Sequence, residues 1–168
     1  MKMKLAIDVY YYNENKAKIV GIIFENWESP EPAKIITKAF DKAAEYESGK
    51  FYKRELPCIM ELLKCIDMDS IDTIIVDGYV YLETIDSPGL GLHLYNTLER
   101  KYPIIGVAKT YYHNSIAEKI YRGKSKIPLY ITSAGIAPNE AMRCIETMYG
   151  NYRIPKLLKL LDQKTKEI

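Results

Sequence analysis

The sequence predicts an α/β fold in which a mixed β-sheet is covered by helices on both faces, and three observations lead to this prediction. Two segments rich in apolar and aromatic residues, 5–12 and 17–25, flank a short polar turn, as in a β-hairpin. Short and almost continuously apolar segments at 71–77 and 103–109 are typical of strands buried on both faces. Segments with apolar residues at helical spacing alternate with these strands, so we expect helices packed against the sheet.

The remaining elements are predicted from the same two periodicities. Residues 33–40 have an ambiguous period and are predicted as a third strand at the edge of the sheet. In 54–66 the apolar residues recur at helical spacing, and Pro57 is expected in the first turn, where its missing N–H costs nothing. The later elements are a helix within 90–101, a strand at 127–132, a helix at 138–149 and an amphipathic helix in the tail 154–168.

This order, an antiparallel hairpin or meander followed by alternating helices and strands, is that of a ribonuclease H-like mixed sheet. In such a sheet the first strand lies beside the fourth, so Asp8 in the first strand and Asp77 at the end of the fourth would be neighbours. A buried carboxylate is costly unless it is paired, hydrogen-bonded, exposed at a strand end or bound to a cation. A divalent cation held between Asp8 and Asp77 would meet this requirement.

Composition restricts the class of protein. A chain of 168 residues fits one domain, 1–168, with a sizeable core. No apolar run approaches the roughly 20 residues that span a bilayer, and the first residues do not resemble a signal peptide. The three cysteines (Cys58, Cys65 and Cys144) match no zinc spacing and are expected as free thiols in a reducing, cytoplasmic compartment. The net charge of +2 is too small to indicate nucleic-acid binding by itself, and we attribute the 15 tyrosines to composition more than to base stacking.

Six short motifs, in the same order over nearly the whole chain, resemble those of the endonuclease V family, which cleaves nucleic acid on the 3′ side of deoxyinosine or inosine. One such motif would be weak evidence, whereas six in order are specific. The matching segments are AIDVYY (6–11), YESGKFYKRELPCIMELL (46–63), IIVDGY (74–79), GLGLHL (89–94), PIIGVAK (103–109) and YRIP (152–155).

The resemblance implies a metal-dependent endonuclease of the DNA-repair type, with Asp8, Glu55 and Asp77 as metal ligands and Lys109 as a further catalytic residue. Mg²⁺ prefers carboxylate oxygens and keeps several waters, so two or three carboxylates suffice, and Mn²⁺ is expected to substitute. Lys109 would stabilise phosphate or orient water. Each residue also has a purely structural explanation: Asp8 as a paired polar residue of a hairpin, Glu55 at a helix N-terminus, Asp77 and Lys109 as solvated strand ends.

The resemblance also implies contacts with the substrate. The family inserts an aromatic wedge near its Y-I-P-G segment and receives the displaced base in a pocket of backbone groups. Tyr46 is the matching wedge residue, Gly49 and Arg54 belong to the same motif, and Gly78 would let backbone approach a base closely. The partner is therefore nucleic acid, DNA or RNA, and we favour a monomer.

Three positions depart from the family pattern. Tyr79 replaces the histidine of V-D-G-H, and the segment 83–88 lacks the family's positive charge. A late G-H motif is replaced around Ala134 and Gly135, which predicts slow turnover and a gain in rate from a histidine at either position. Two alternatives therefore stay open: a relative that binds nucleic acid with little or no cleavage, and a nucleotide- or phosphate-binding module that uses the loops 87–92 and 132–138.

Overall fold

The computed structural model describes residues 2–13, 16–41 and 51–167, and within these ranges the chain forms seven strands and four α-helices. No helix in the described ranges has both the length and the apolar character needed to cross a membrane. The strands are β1 (Met3–Tyr12), β2 (Lys16–Phe24), β3 (Lys34–Phe40), β4 (Ile71–Asp77), β5 (Ile104–Ala108), β6 (Glu118–Ile120) and β7 (Leu129–Ala134). The helices are α1 (Phe51–Leu63), α2 (Leu90–Thr97), α3 (Pro138–Thr147) and α4 (Lys156–Lys166).

All seven strands belong to one sheet with the order β3-β2-β1-β4-β5-β7-β6. The three central strands β1, β4 and β5 are parallel, and each strand farther out pairs antiparallel with its inner neighbour. The first strand therefore lies beside the fourth, which confirms the predicted mixed sheet and the predicted neighbourhood of Asp8 and Asp77.

The sheet separates two apolar cores, because successive side chains of a strand point to opposite faces. Leu5 of β1 packs on the face covered by α1 and α2, whereas Ala6 of β1 and Ile75 of β4 pack with α3 and α4. The same alternation places Asp8 and Asp77 on the α3/α4 face, near the ends of their strands. Helices thus cover both faces, as the sequence predicts.

Two elements differ from the sequence-based prediction. Helix α1 begins at Phe51, so Pro57 lies inside the helix and not in its first turn. The prediction was wrong because the apolar spacing becomes regular only from Leu56 onward, while the helix starts in polar and aromatic residues before it. Strand β6 was not predicted, because three residues are too few for a periodic pattern; it exists through its pairing with β7.

Candidate functional site

β1 and β4 separate at the point where each carries an aspartate. Their parallel pairing ends with Ile7 opposite Val76, and the next residues along the two strands are Asp8 and Asp77. The cleft outside the carboxyl ends of parallel strands is a common place for a ligand. Asp8 is half-buried, and one of its carboxylate oxygens accepts the N–H of Val9 at 2.8 Å.

Glu55 joins the two aspartates from α1. Burial, with the charges of Asp8 and Asp77, raises the pKa of Glu55 to about 7. Burial and the charge of Asp77 likewise raise the pKa of Asp8 to about 7, and burial raises the pKa of Asp77. Asp77 still exposes 37% of its side-chain surface, so this carboxylate lies at the open mouth of the cleft. The structure thus brings the three predicted carboxylates into one electrostatically coupled group.

A lysine and a fourth carboxylate complete the group. The Lys109 ammonium lies 3.5 Å from a carboxylate oxygen of Asp77 and lowers the pKa of both Asp77 and Asp8. Asp162 of α4 acts in the opposite direction, since its charge raises the pKa of the same two aspartates. Asp162 itself forms an ion pair with Lys166 at 3.2 Å.

Sequence reasoning missed Asp162, although the sequence contains a signal for it. Leu158, Leu161 and Thr165 are buried on the sheet-facing side of α4, and Asp162 occupies a position on that same side. A carboxylate on the apolar stripe of an amphipathic helix needs a partner, in the same way as Asp77 at the end of its buried strand.

Arg153 of the YRIP motif fixes the end of β5. Its guanidinium donates to the carbonyl oxygens of Lys109 and Pro128, the latter at 2.8 Å. These bonds connect the backbone of Lys109, just beyond β5, to the segment that leads into β7. Arg153 therefore positions Lys109 beside the carboxylates.

Arg54, predicted as a substrate contact, lies beside the group. Its guanidinium stacks on the ring of Tyr11, 3.5 Å from the centroid, and its charge lowers the pKa of Glu55. The Nε of Arg54 and the hydroxyl of Tyr11 are buried with no hydrogen-bond partner in the described part of the chain. Arg54 is thus held next to Glu55 by a cation–π contact.

The donor set fits a hard divalent cation. Four carboxylates against three nearby cations, Lys109, Lys166 and Arg54, leave an excess of negative charge. Carboxylate oxygens are the ligands that Mg²⁺ prefers. Burial is the first cause of the raised pKa values of Asp8 and Glu55, and the neighbouring carboxylates are the second. Among the described residues, however, no three acidic, histidine or cysteine side chains are gathered closely enough to share one ion in this structure.

A pocket opens beside the carboxylates at Gly78. It has a volume of about 390 Å³ and is lined by Glu55, Asp77 and Gly78 together with tyrosines. Gly78 has a φ of +138°, and a Cβ built there would have no heavy atom within 4 Å, so glycine is favoured by the backbone while its surroundings are open. The tyrosines that line this pocket are Tyr79, Tyr111 and Tyr112.

Tyr79, which stands where the family has histidine, holds the wall of this pocket. Its hydroxyl donates to the carbonyl oxygen of Thr110 at 2.6 Å and accepts the N–H of Tyr112 at 3.0 Å. The rings of Tyr79 and Tyr112 are 6.0 Å apart and tilted. The Tyr79 side chain therefore connects the loop after β4 to the loop after β5.

The positions of the late G-H motif lie away from the carboxylates. Ala134 pairs with Ile104 at the start of β5, whereas Asp77 pairs with Val107 near its end. A Cβ on Gly135 would lie 3.0 Å from the ring of Tyr95. The expectation that a histidine at Ala134 or Gly135 would serve the site is therefore wrong, because both positions face the opposite end of the sheet.

The glycines of 87–92 serve helix packing and do not form an open phosphate cradle. The N–H groups of Gly89 and Gly91 already donate to the carbonyl oxygens of Val80 and Tyr79. A Cβ on Gly89 or Gly91 would collide with Tyr79 or Val80 at 2.4 and 2.6 Å. Tyr46 and Gly49, the other two predicted substrate contacts, lie outside the described residues.

Comparison with known proteins gives one family and one fold. Residues 1–144 match the sequence model of the family described as Endonuclease V. No curated protein sequence matches the chain significantly.

Three solved structures share the fold and cover 98% of this chain. Endonuclease V of Bacillus subtilis has 17% identity, a TM-score of 0.79 and 79% of its own chain covered. Endonuclease V of Ciona intestinalis, solved with a 24mer DNA containing an inosine followed by a ribo-adenosine, has 18% identity, a TM-score of 0.80 and 84% covered. The human enzyme has 18% identity, a TM-score of 0.76 and 83% covered.

Proposed function

Because the chain belongs to the endonuclease V family of nucleases, we propose that it is a divalent-metal-dependent endonuclease that hydrolyses the phosphodiester bond 3′ to deoxyinosine or inosine. The observation that carries the proposal is the convergence of carboxylates where β1 and β4 separate, with pKa values raised to about 7 for Asp8 and Glu55. A group that only binds phosphate has no use for such a cluster, because carboxylates repel phosphate.

In this proposal Asp8, Glu55 and Asp77 hold Mg²⁺ or Mn²⁺, and Asp162 adds a fourth carboxylate from α4. A bound divalent ion would stabilise charge on the phosphate and activate water for attack. Lys109 would place its ammonium against a phosphate oxygen, since it lies next to Asp77 and is fixed through its backbone by Arg153.

The pocket at Gly78 would receive the displaced base. Its volume of about 390 Å³ and its wall of tyrosines suit a flat aromatic ring, and its lining includes Glu55 and Asp77 of the carboxylate group. A base in this pocket would therefore lie next to the phosphate to be cut. Gly49 and Arg54 are proposed as further substrate contacts through their motif.

Cleavage assays test the proposal directly. Strands containing inosine, and matched strands with guanosine at the same position, are incubated with Mg²⁺, with Mn²⁺ or with EDTA. We expect a cut 3′ to inosine only with metal, and Asp77→Ala should abolish it while the fold is retained. Wild-type cleavage by Asp77→Ala, or cleavage in EDTA, would contradict the metal assignment.

The same assays test the alternative of a relative that binds but cuts slowly. Glu83 and Asp86 stand in the segment where the family carries positive charge, and both are exposed, which favours weaker binding. Preference for inosine strands in a binding assay, without a product in either metal, would establish this alternative.

Tyr46 is proposed as the wedge that fills the space left by the displaced base. Stacking of one base on an aromatic ring contributes about 1–3 kcal/mol, so Tyr46→Ala should weaken binding to inosine strands by roughly tenfold or more. Binding to the matched guanosine strands should change less. Equal weakening on both strands would reduce Tyr46 to a general contact.

A further inference from the structure

A second depression runs from the carboxylate group in a different direction from the Gly78 pocket. This depression, which we call the basic groove, has a volume of about 710 Å³ and begins at Lys109 and Asp162. The Gly78 pocket instead reaches the group at Glu55 and Asp77. The two concave surfaces therefore meet at the carboxylates.

The lining of the basic groove is strongly cationic. Lys109, Lys124, Arg153 and Lys159 contribute four positive charges, against the single carboxylate of Asp162. Lys124 and Lys159 are exposed, and no carboxylate in the described part of the chain lies within 4 Å of either ammonium. These charges are therefore available to an anionic partner.

A buried arginine makes the walls of the groove rigid. Arg122 exposes only 6% of its surface and donates to carbonyl oxygens of the segment 148–153, which forms one wall. Its bonds to Met148 and Tyr152 are both 2.6 Å, and those to Gly150 and Arg153 are longer.

The other wall is the turn that carries Lys124. Gly123 in this turn has a φ of +60°, and a Cβ there would lie 2.3 Å from the carbonyl oxygen of Asn151. The turn is therefore packed directly against the 148–153 segment, and both walls are fixed relative to each other before any partner binds. Such preorganisation lowers the entropic cost of binding.

We propose that the basic groove holds the phosphodiester backbone of the substrate strand on one side of the scissile phosphate, so that the strand continues from the carboxylates past Lys124 and Lys159. The inference rests on the proposed function, since it assumes that the reacting phosphate lies at the carboxylates. Lysines that contact phosphates supply affinity without sequence preference, and that affinity depends on salt.

The test is binding of fluorescent single strands in EDTA, measured by anisotropy over a range of salt concentrations. For single strands the slope of log K against log salt is about −0.7 per neutralised phosphate, so Lys124→Gln with Lys159→Gln should make it shallower by about 1.4. Lys2→Gln with Lys34→Gln is the matched control. Both residues are exposed. Lys2 precedes β1, and Lys34, on the edge strand β3, lies level with Leu5 near the start of β1, so both are at the end of the sheet remote from Asp77.

A second experiment, with two single strands that differ in the position of inosine, distinguishes a failure of this inference from a failure of the proposed function. One carries inosine near its 5′ end and the other near its 3′ end, so that each extends from the site in only one direction. We expect the Lys124/Lys159 variant to weaken only one of them, roughly tenfold, while the control variant changes neither. An unchanged slope and affinity would overturn the groove, even if cleavage at inosine is found. If the variant bound both strands equally more weakly, the groove would still be a binding surface for nucleic acid, but the proposal that it lies on one side of the scissile phosphate would be wrong.

Discussion

Asp8 and Glu55 are acids whose charged forms the fold disfavours when no cation is present. Their ordinary pKa values of 3.8 and 4.5 are raised to about 7, by burial first and by neighbouring carboxylates second. A divalent ion would reverse the second cause, because a positive charge favours the ionised form. The residues that suit a metal site are thus the same residues that make the metal-free protein sensitive to pH.

We expect the metal-free protein to lose stability as pH rises from about 4 to about 7. Between the ordinary and the raised pKa values the folded state holds more protons than the unfolded state, so rising pH favours unfolding. Asp8→Asn removes one of these charges and should raise the melting temperature at pH 8 and flatten the pH dependence. Thermal denaturation in EDTA measures both effects.

Asp72→Asn provides the control for this experiment. Asp72 lies at the start of β4 and pairs with Lys4 at 3.0 Å, so its neutralisation should not raise the melting temperature at pH 8. If Asp8→Asn had a lower melting temperature than the wild type at pH 8, a partner would stabilise the Asp8 carboxylate. That result would contradict the repulsion inferred for this carboxylate.

At the scale of single elements, the connection between α3 and α4 depends on Arg122. Its guanidinium satisfies four carbonyl oxygens of one irregular segment, and such a segment has few backbone partners of its own. We expect Arg122→Met to destabilise the fold by about 2–5 kcal/mol, because it leaves buried carbonyl groups without donors. Urea denaturation measures the loss.

Arg100→Met is the matched control, since Arg100 is exposed. Within the described chain its guanidinium donates to the side chain of Asn96 and lies over the ring of Tyr95, but it reaches no buried carbonyl group. Its effect should remain within about 0.5 kcal/mol, as is usual for surface substitutions. Equal and small effects for the two arginines would show that the carbonyl groups of 148–153 find water when Arg122 is lost.

The elements that the sequence predicted best are those whose pattern is local. Strand 71–77 agrees with β4 residue for residue, because this mostly apolar segment has polar or flexible residues at its ends, Ser70 before it and Asp77-Gly78 at its close. β6 could not be predicted, since its three residues form a strand only through β7. Asp162 was missed for a related reason: the neighbours of a carboxylate on an amphipathic helix are known only when the strands beneath that helix are known.

At the scale of the whole molecule, the candidate site joins the two ends of the chain. Asp8 belongs to the first strand, Asp162 to the last helix, and α4 packs across the sheet face that carries Ala6 and Ile75. The motif resemblance identified Asp8, Glu55 and Asp77, which lie in local signatures. The position of Asp162 depends on how α4 crosses the finished sheet, and that is a property of the tertiary fold.

This arrangement makes a prediction about metal affinity. Asp162→Asn should raise the Mg²⁺ concentration needed for half-maximal cleavage, because one negative charge is lost from the group that would hold the ion. It should also reduce the rise in melting temperature that Mg²⁺ produces through binding linkage, a measurement that needs no activity. Asp69→Asn, an exposed aspartate before β4, is the control and should change neither quantity.

Comparison of the Ala134→His variant with the Asp162→Asn variant tests the geometry of the same site. A histidine at position 134 would lie level with the start of β5, whereas the carboxylates lie level with its end, so we expect no gain in rate and no change in Mg²⁺ dependence. The substitution also puts a ring at a buried position of β7, so a lower melting temperature is expected. Faster cleavage by Ala134→His, with an unchanged response of Asp162→Asn to Mg²⁺, would mean that the metal site is completed from β7 and not from α4.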